Sequence, residues 1–322
     1  MKKKRTKYPL HEDFKKWENM NPPLEGILLP LMQFFMGKLY DKQKSDDYCI
    51  VRKIKIPFKK RKSLRALIYE PVWLQPNAPC LVYFHGGGFV LPAAPYHYSY
   101  ARQYALGANC KVVFVDYPLA PKYRHPVAPE ACYVTYKWAV NNAEQLQIDP
   151  SRIAVGGDSA GGNLSAVISL MASDNAFKLP VAQMLIYPAV GSRKETASMK
   201  MFTDTPMCNS VDYKKYCKFY FKNNEQMITS RYASPLNAET LKIYPQTYIE
   251  TAEFDCLRDE GKLFGKMLKA AKVPVTIYET KETMHGYDIV EESSISKESV
   301  KKRIEFLNQV FNNKPVDCVE NK

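Results

Sequence analysis

From residue 49 onward, short apolar runs alternate with longer stretches of helical period. Residues 50–56 and 64–69 read as two strands joined by the polar turn Lys59–Lys62, a hairpin. Apolar runs follow at 80–84, 112–116, 153–156, 183–187, 247–251 and 275–278, giving eight strands in all. Helical stretches at 96–107, 130–146, 162–173 and 260–271 separate them. A closing helix carries Val300, Ile304, Leu307 and Phe311 on one face. Strands that are apolar on both faces and alternate with helices predict an α/β fold. Its sheet is mostly parallel and has helices on both sides.

Two segments break this rhythm. Residues 1–48 show no strand pattern; they hold Pro22-Pro23 and a helix-like apolar stretch at 24–39. Residues 190–236 are rich in Lys, Met and Tyr, with a helix-like core at 213–221. An insertion this long between two strands needs structure of its own. The expected organisation is a helical cap over the strand ends. Residues 1–48 form its N-terminal part, and about 190–236 is a cap insertion in a catalytic domain spanning 49–322. Tyr213, Tyr216, Phe219, Tyr220 and Phe221 either line a pocket or form the cap's own core. Repeats and low-complexity tracts are not found.

Composition narrows the function classes. An apolar fraction of 46% with 25% charged residues excludes disordered and fibrous classes. The net charge of +13 favours contact with anionic surfaces. Its two densest clusters, Lys2–Arg5 and Lys59–Lys62, read as a solvated tail and a hairpin turn, and no nucleic-acid motif accompanies them. The basic start is followed by Thr6-Lys7-Tyr8-Pro9, too polar for a signal peptide. Residues 27–36 are too few to span a bilayer, so no stable membrane insertion is expected. Eight cysteines lack a C-x-x-C pair and the spacing of a zinc site. They read as reduced thiols of a cytoplasmic protein.

Four motifs carry the chemistry. Gly157-Asp158-Ser159-Ala160-Gly161 follows the strand 153–156 and opens a helix. That context suits a nucleophile elbow, in which the serine sits on a turn too sharp for most neighbours except glycine. A G-x-S-x-G also arises by chance in Gly-rich turns; the flanking strand and helix set this one apart. His85-Gly86-Gly87-Gly88 directly follows the strand 80–84. N–H groups of Gly86, Gly87 and Gly88, with that of Ala160, are candidates for an oxyanion hole. The Walker lysine is missing, which argues against a phosphate loop. Asp255 stands at a strand end, where sites of such sheets gather. Asp259 and Glu260 fall in the next helix's first turn, where acids suit the dipole. His285 alone among the five histidines lies after that acid, in a loop past the last strand. His85 reads as a brace for the glycine loop, His97 and His125 as structural or pocket-lining, and His11 as surface. Ser159, Asp255 and His285 in this order form a candidate triad for nucleophilic acyl chemistry.

With these motifs assembled, the chain resembles the hormone-sensitive-lipase family of esterases. The likeness is to bacterial acetyl-esterase-like carboxylesterases with Asp before the serine. It extends from about residue 79 to the end. Resemblance implies the α/β-hydrolase fold, hydrolysis of short-acyl esters, a two-part cap and no cofactor or metal. One departure is Tyr117-Pro118-Leu119-Ala120-Pro121-Lys122, where the family carries Arg at the second and Glu at the sixth position. A small ester is the expected partner, and the protein a monomer or homodimer. Amide or lactone hydrolysis and acyl transfer at the same site stay open. A non-catalytic ligand receptor on this scaffold is disfavoured because His285 is present.

Overall fold

The computed structural model describes residues 7–22, 28–59, 62–191 and 195–312. Its eight strands are β1 (Cys49–Phe58), β2 (Lys62–Pro71), β3 (Ala78–Phe84), β4 (Lys111–Asp116), β5 (Ile148–Asp158), β6 (Ala182–Ile186), β7 (Gln246–Phe254) and β8 (Val275–Met284). They form one sheet in the order β1-β2-β4-β3-β5-β6-β7-β8. β1 pairs antiparallel with β2, and β2 with β4; every other pairing is parallel. This is the mostly parallel sheet of an α/β fold that the pattern predicts.

Seven helices of ten or more residues occur among the described residues. They are α1 (Leu28–Gly37), α2 (Pro95–Gly107), α3 (Val127–Asn141), α4 (Ala160–Asp174), α5 (Ser210–Phe221), α6 (Arg258–Ala270) and α7 (Ser294–Phe311). Alternation along β3 shows why the sheet is covered twice. Cys80, Val82 and Phe84 pack with α3 and α4 on one face, while Leu81 and Tyr83 pack with α2 and α7 on the other. α6 joins the α4 side beside β6, β7 and β8 through Phe264 and Leu268.

Element bounds differ from the sequence pattern where polar residues extend an element. β5 begins at Ile148 because Ile148 pairs with Ala78, across the polar stretch Asp149–Arg152. α3 begins at Val127, since a proline (Pro129) is tolerated in a first turn that lacks internal donors. The stretch expected helical at 24–39 is α1, followed by the short turn Leu39–Lys42; residues 24–27 lie outside the described residues. The turn Lys59–Lys62 joins β1 to β2, with its middle two residues outside the described set. The cluster Lys2–Arg5 also lies outside it. Seven of the eight cysteines lie in the described residues, and all seven are buried. No helix among the described residues is long and apolar enough to cross a membrane.

Candidate active site

The parallel strands deliver their C-terminal ends to one edge of the sheet, and the four motifs meet there. Ser159 follows β5 with φ 53° and ψ −114°, a conformation that side-chain-bearing residues rarely adopt. The turn is held by Ser159 N–H donating to Ile186 O at 2.8 Å and Ala189 N–H donating to Ser159 O at 3.2 Å. It is tight enough that a Cβ on Gly161 would lie 1.9 Å from the Phe84 carbonyl oxygen. Local sequence thus dictates the elbow: a strand, a strained serine, and a glycine where two backbones touch.

His285 Nε2 lies 2.9 Å from Ser159 Oγ, and His285 Nδ1 lies 2.7 Å from Asp255 Oδ2. The other carboxylate oxygen of Asp255 accepts the Leu257 N–H at 2.8 Å, which fixes the acid at the N-terminus of α6. All three residues are buried. Burial would lower the His285 pKa, but the Asp255 carboxylate outweighs it by charge and hydrogen bond and raises the group to about 9. Isolated histidine chemistry would have suggested a value near 6.5.

Ser159, Ala160, His285, Gly87 and Gly88 line one cavity, which is open to the surface. Gly87 and Gly88 have φ of 105° and 60°, so the chain turns its backbone there in a way that favours glycine. Gly86 is different. It is not on the cavity wall, and a Cβ there would lie 2.1 Å from Asp158 Oδ2. Its lack of a side chain lets the loop rest on Asp158. Tyr213, Tyr216, Tyr220 and Phe221 of α5 line the cavity and also belong to the buried core, so the two readings of these aromatics are both met. Phe219 is half-buried and off the cavity wall.

A family model described as the alpha/beta hydrolase fold matches residues 81–289, more than half of the chain. The chain belongs to the α/β-hydrolase family. Esterase LipI of Mycobacterium tuberculosis is 37% identical over 213 residues, covering 66% of this hydrolase and 67% of LipI. Carboxylesterase NlhH of the same species is 36% identical, covering 68% and 70% respectively. Among solved structures, an esterase of Pyrobaculum calidifontis superposes with a TM-score of 0.85 at 31% identity, covering 94% of this chain and 99% of that one. A bacterial heroin esterase has the same TM-score at 29% identity, covering 94% and 98%. These relatives fit the hormone-sensitive-lipase likeness drawn from the motifs.

Residues around this hydrolase's site hold features that sequence reasoning missed. Asp158 accepts from Tyr83 Oη at 2.9 Å and pairs with His97 Nε2 at 3.0 Å, so it buttresses the glycine loop from below. Its burial works against ionisation, and His97 reverses that, leaving the carboxyl below its usual range. His85 braces the same loop, with Nδ1 2.7 Å from Gly86 O and its ring stacked 4.4 Å from Tyr117. Burial drives its pKa down to about 3, with His97 adding to the effect, so it stays neutral. His125 is buried against Tyr220 and Phe221, and His11 is half-buried beside Asp13.

Asp259 and Glu260 do stand in the first turn of α6, yet their side chains serve tertiary contacts. Asp259 accepts the Ser198 N–H at 2.7 Å, and Glu260 accepts the Gly191 N–H at 3.1 Å. Burial pushes the Glu260 carboxyl up to about 8, which keeps it protonated near neutral pH. Behind His285 lies a second buried cluster. Tyr187 packs its ring edge on the His285 imidazole at 4.8 Å and donates to Asp288 Oδ1 at 2.6 Å. Asp288 pairs with Arg303 at 2.9 Å, and Arg303 in turn with Glu250. No local signal marks Glu250 or Arg303; a buried arginine on an otherwise apolar helix face is visible only once the helix is docked.

Proposed function

We propose that this chain hydrolyses short-acyl carboxylic esters through an acyl-enzyme on Ser159. That it is a carboxylesterase is carried by its relatives. The chemistry at named residues rests on one observation, the hydrogen-bonded line from Asp255 through His285 to Ser159 at the wall of an open cavity. His285 Nε2 takes the Ser159 proton as Oγ bonds to the ester carbonyl carbon. Asp255 holds the Nδ1–H tautomer and stabilises the imidazolium. The oxyanion is received by backbone N–H groups of Gly87, Gly88 and Ala160, while Gly86 serves the loop's packing. One such donor is worth about 3–4 kcal/mol in the transition state. The imidazolium then gives its proton to the leaving alcohol. Water, deprotonated by His285, attacks the acyl carbon; the bond from that carbon to Ser159 Oγ breaks, and the imidazolium returns its proton to Oγ as the acid leaves.

Residues 1–48 and about 190–236 act as a helical cap in this reading, with residues 49–322 as the catalytic domain that carries the insertion. Support comes from Pro22 and α5, which supply cavity wall opposite the sheet edge. The short-acyl preference is supported by crowding above the glycine loop. A Cβ on Gly88 would lie 2.4 Å from the Tyr216 ring, and Phe89 stacks on Tyr220 at 4.0 Å. Fluorophosphonate labelling mapped by peptide, followed by an acyl-chain series, tests both parts. Label on Ser159 and faster cleavage of butyrate than of long-chain esters are expected. Label elsewhere overturns the site, and faster cleavage of long-chain triglycerides overturns the preference.

A further inference from the structure

α1 carries no charged residue, and it is apolar on more than the face it buries. On its inner side Leu29 is buried, and Gln33 Nε2 donates to Val90 O at 2.7 Å and Ala120 O at 2.9 Å. Those bonds tie α1 to the segments just after the glycine loop and the Tyr117–Lys122 run. On its outer side Leu28, Leu31, Phe34 and Phe35 are 55%, 45%, 59% and 62% exposed. The spacing 28, 31, 35, with 34 beside it, is one helical stripe. A contiguous stripe of two leucines and two phenylalanines left to water marks an interaction surface.

The rim of this stripe is basic. Lys38 Nζ lies over the Phe34 ring, 4.3 Å from its centroid, which places a positive charge at the edge of the stripe. Beside α1 runs an open groove, with Gln33 and Gly37 on one wall and Lys59, Lys62, Arg65 and Lys122 around it. Arg65 is matched by Asp116 and Asp41, and Lys59 by Glu130. Among the described residues, no carboxylate pairs with Lys38, Lys62 or Lys122. The last two instead lie over the Tyr123 ring. Lys122 is the position at which the chain departs from its family's Glu.

We propose that α1 docks the protein onto an anionic lipid surface. The four apolar side chains enter the headgroup–acyl boundary, and Lys38, Lys62 and Lys122 meet lipid phosphates. Hydrophobic contact and charge are two weak signals that hold a peripheral protein together where either alone does not. Charge decides against a second copy of this chain as the occupant. A two-fold contact through α1 would set the same unmatched lysines against themselves, on a protein of net charge +13. This inference does not depend on the proposed ester chemistry.

Co-sedimentation of the full chain with vesicles tests it. Vesicles one-third phosphatidylglycerol should retain at least about tenfold more protein than pure phosphatidylcholine, and raised salt should erase the difference. Phe34→Ser with Phe35→Ser should abolish retention, and Lys62→Glu with Lys122→Glu should abolish the preference for anionic vesicles, both with an unchanged unfolding midpoint. Retention that ignores lipid charge, or no retention at all, overturns the proposal. So does a solution dimer that dissociates in the Phe34→Ser, Phe35→Ser protein, which would make α1 a self-interface.

Discussion

Two buried charged clusters lie next to each other in this molecule and do opposite things. In one, Arg303 donates to Glu250 through Nε at 3.0 Å and Nη2 at 2.5 Å, and to Asp288 through Nη1 at 2.9 Å. Tyr104 and Tyr287 hydroxyls accept from the same guanidinium, and Tyr248 and Tyr287 donate to Glu250. One guanidinium serves both carboxylates, and the cluster is sealed. In the other, Asp255 and His285 are matched just as closely, but the line runs on to the Ser159 hydroxyl at a cavity wall. Burial and ion pairing are common to both, so neither marks chemistry. What differs is an end left facing space that a substrate can enter. Tyr187 joins the two clusters, with its ring on His285 and its hydroxyl on Asp288, so the sealed cluster holds the open one in place.

Breaking the open end should have the largest effect. Ser159→Ala should lower kcat on a short aryl ester by about 10⁶-fold with no loss of folding stability. Activity near the unmodified level would remove the serine from the chemistry. Asp255→Asn should cost about 10⁴-fold in kcat, because the amide favours the wrong imidazole tautomer. A loss of less than about tenfold would mean another group orients His285. Arg303→Met attacks the sealed cluster and leaves two carboxylates unmatched. Urea unfolding should show about 3–5 kcal/mol lost; a change under about 1 kcal/mol would show that the cluster tolerates losing its cation.

The smallest effect sharpens the comparison through pH. In the proposed mechanism His285 is a base in its neutral form, so kcat/KM should rise with pH through about 9 and level off above it. Because the folded pKa lies above the free value of 6.5, the imidazolium–Asp255 pair stabilises the fold fully below about pH 6.5. That contribution fades as pH climbs through 9. Activity and this share of stability should therefore move in opposite directions. A bend in kcat/KM near 6.5 would show that Asp255 does not hold the imidazolium.

Much of this was legible in the chain itself. The inner strands read clearly because both of their faces are buried, as with Leu81 and Val82 on opposite sides of β3. The elbow was legible because its strain needs glycine at fixed offsets. His285 could be singled out because only one histidine follows the acid. Elsewhere local pattern misled. Along α7, Val300, Leu307 and Phe311 are buried as expected, but so are Arg303 and Phe306, whereas Ile304 is only half-buried. Hydropathy cannot anticipate an arginine turned inward, since its cost is met by Glu250 and Asp288, respectively 53 and 15 residues away in sequence.

The sequence by itself determined the strands, the strained serine and the order of the three polar residues, since each depends on neighbours a few positions away. Tertiary structure alone decided that Gly86 rests on Asp158, that Glu260 stays protonated, that Tyr216 closes over Gly88 and that α1 shows phenylalanine to water. Those outcomes depend on which distant surfaces meet, and on how much water they exclude when they do. A pKa or a cavity wall is a property of that meeting and of no single segment.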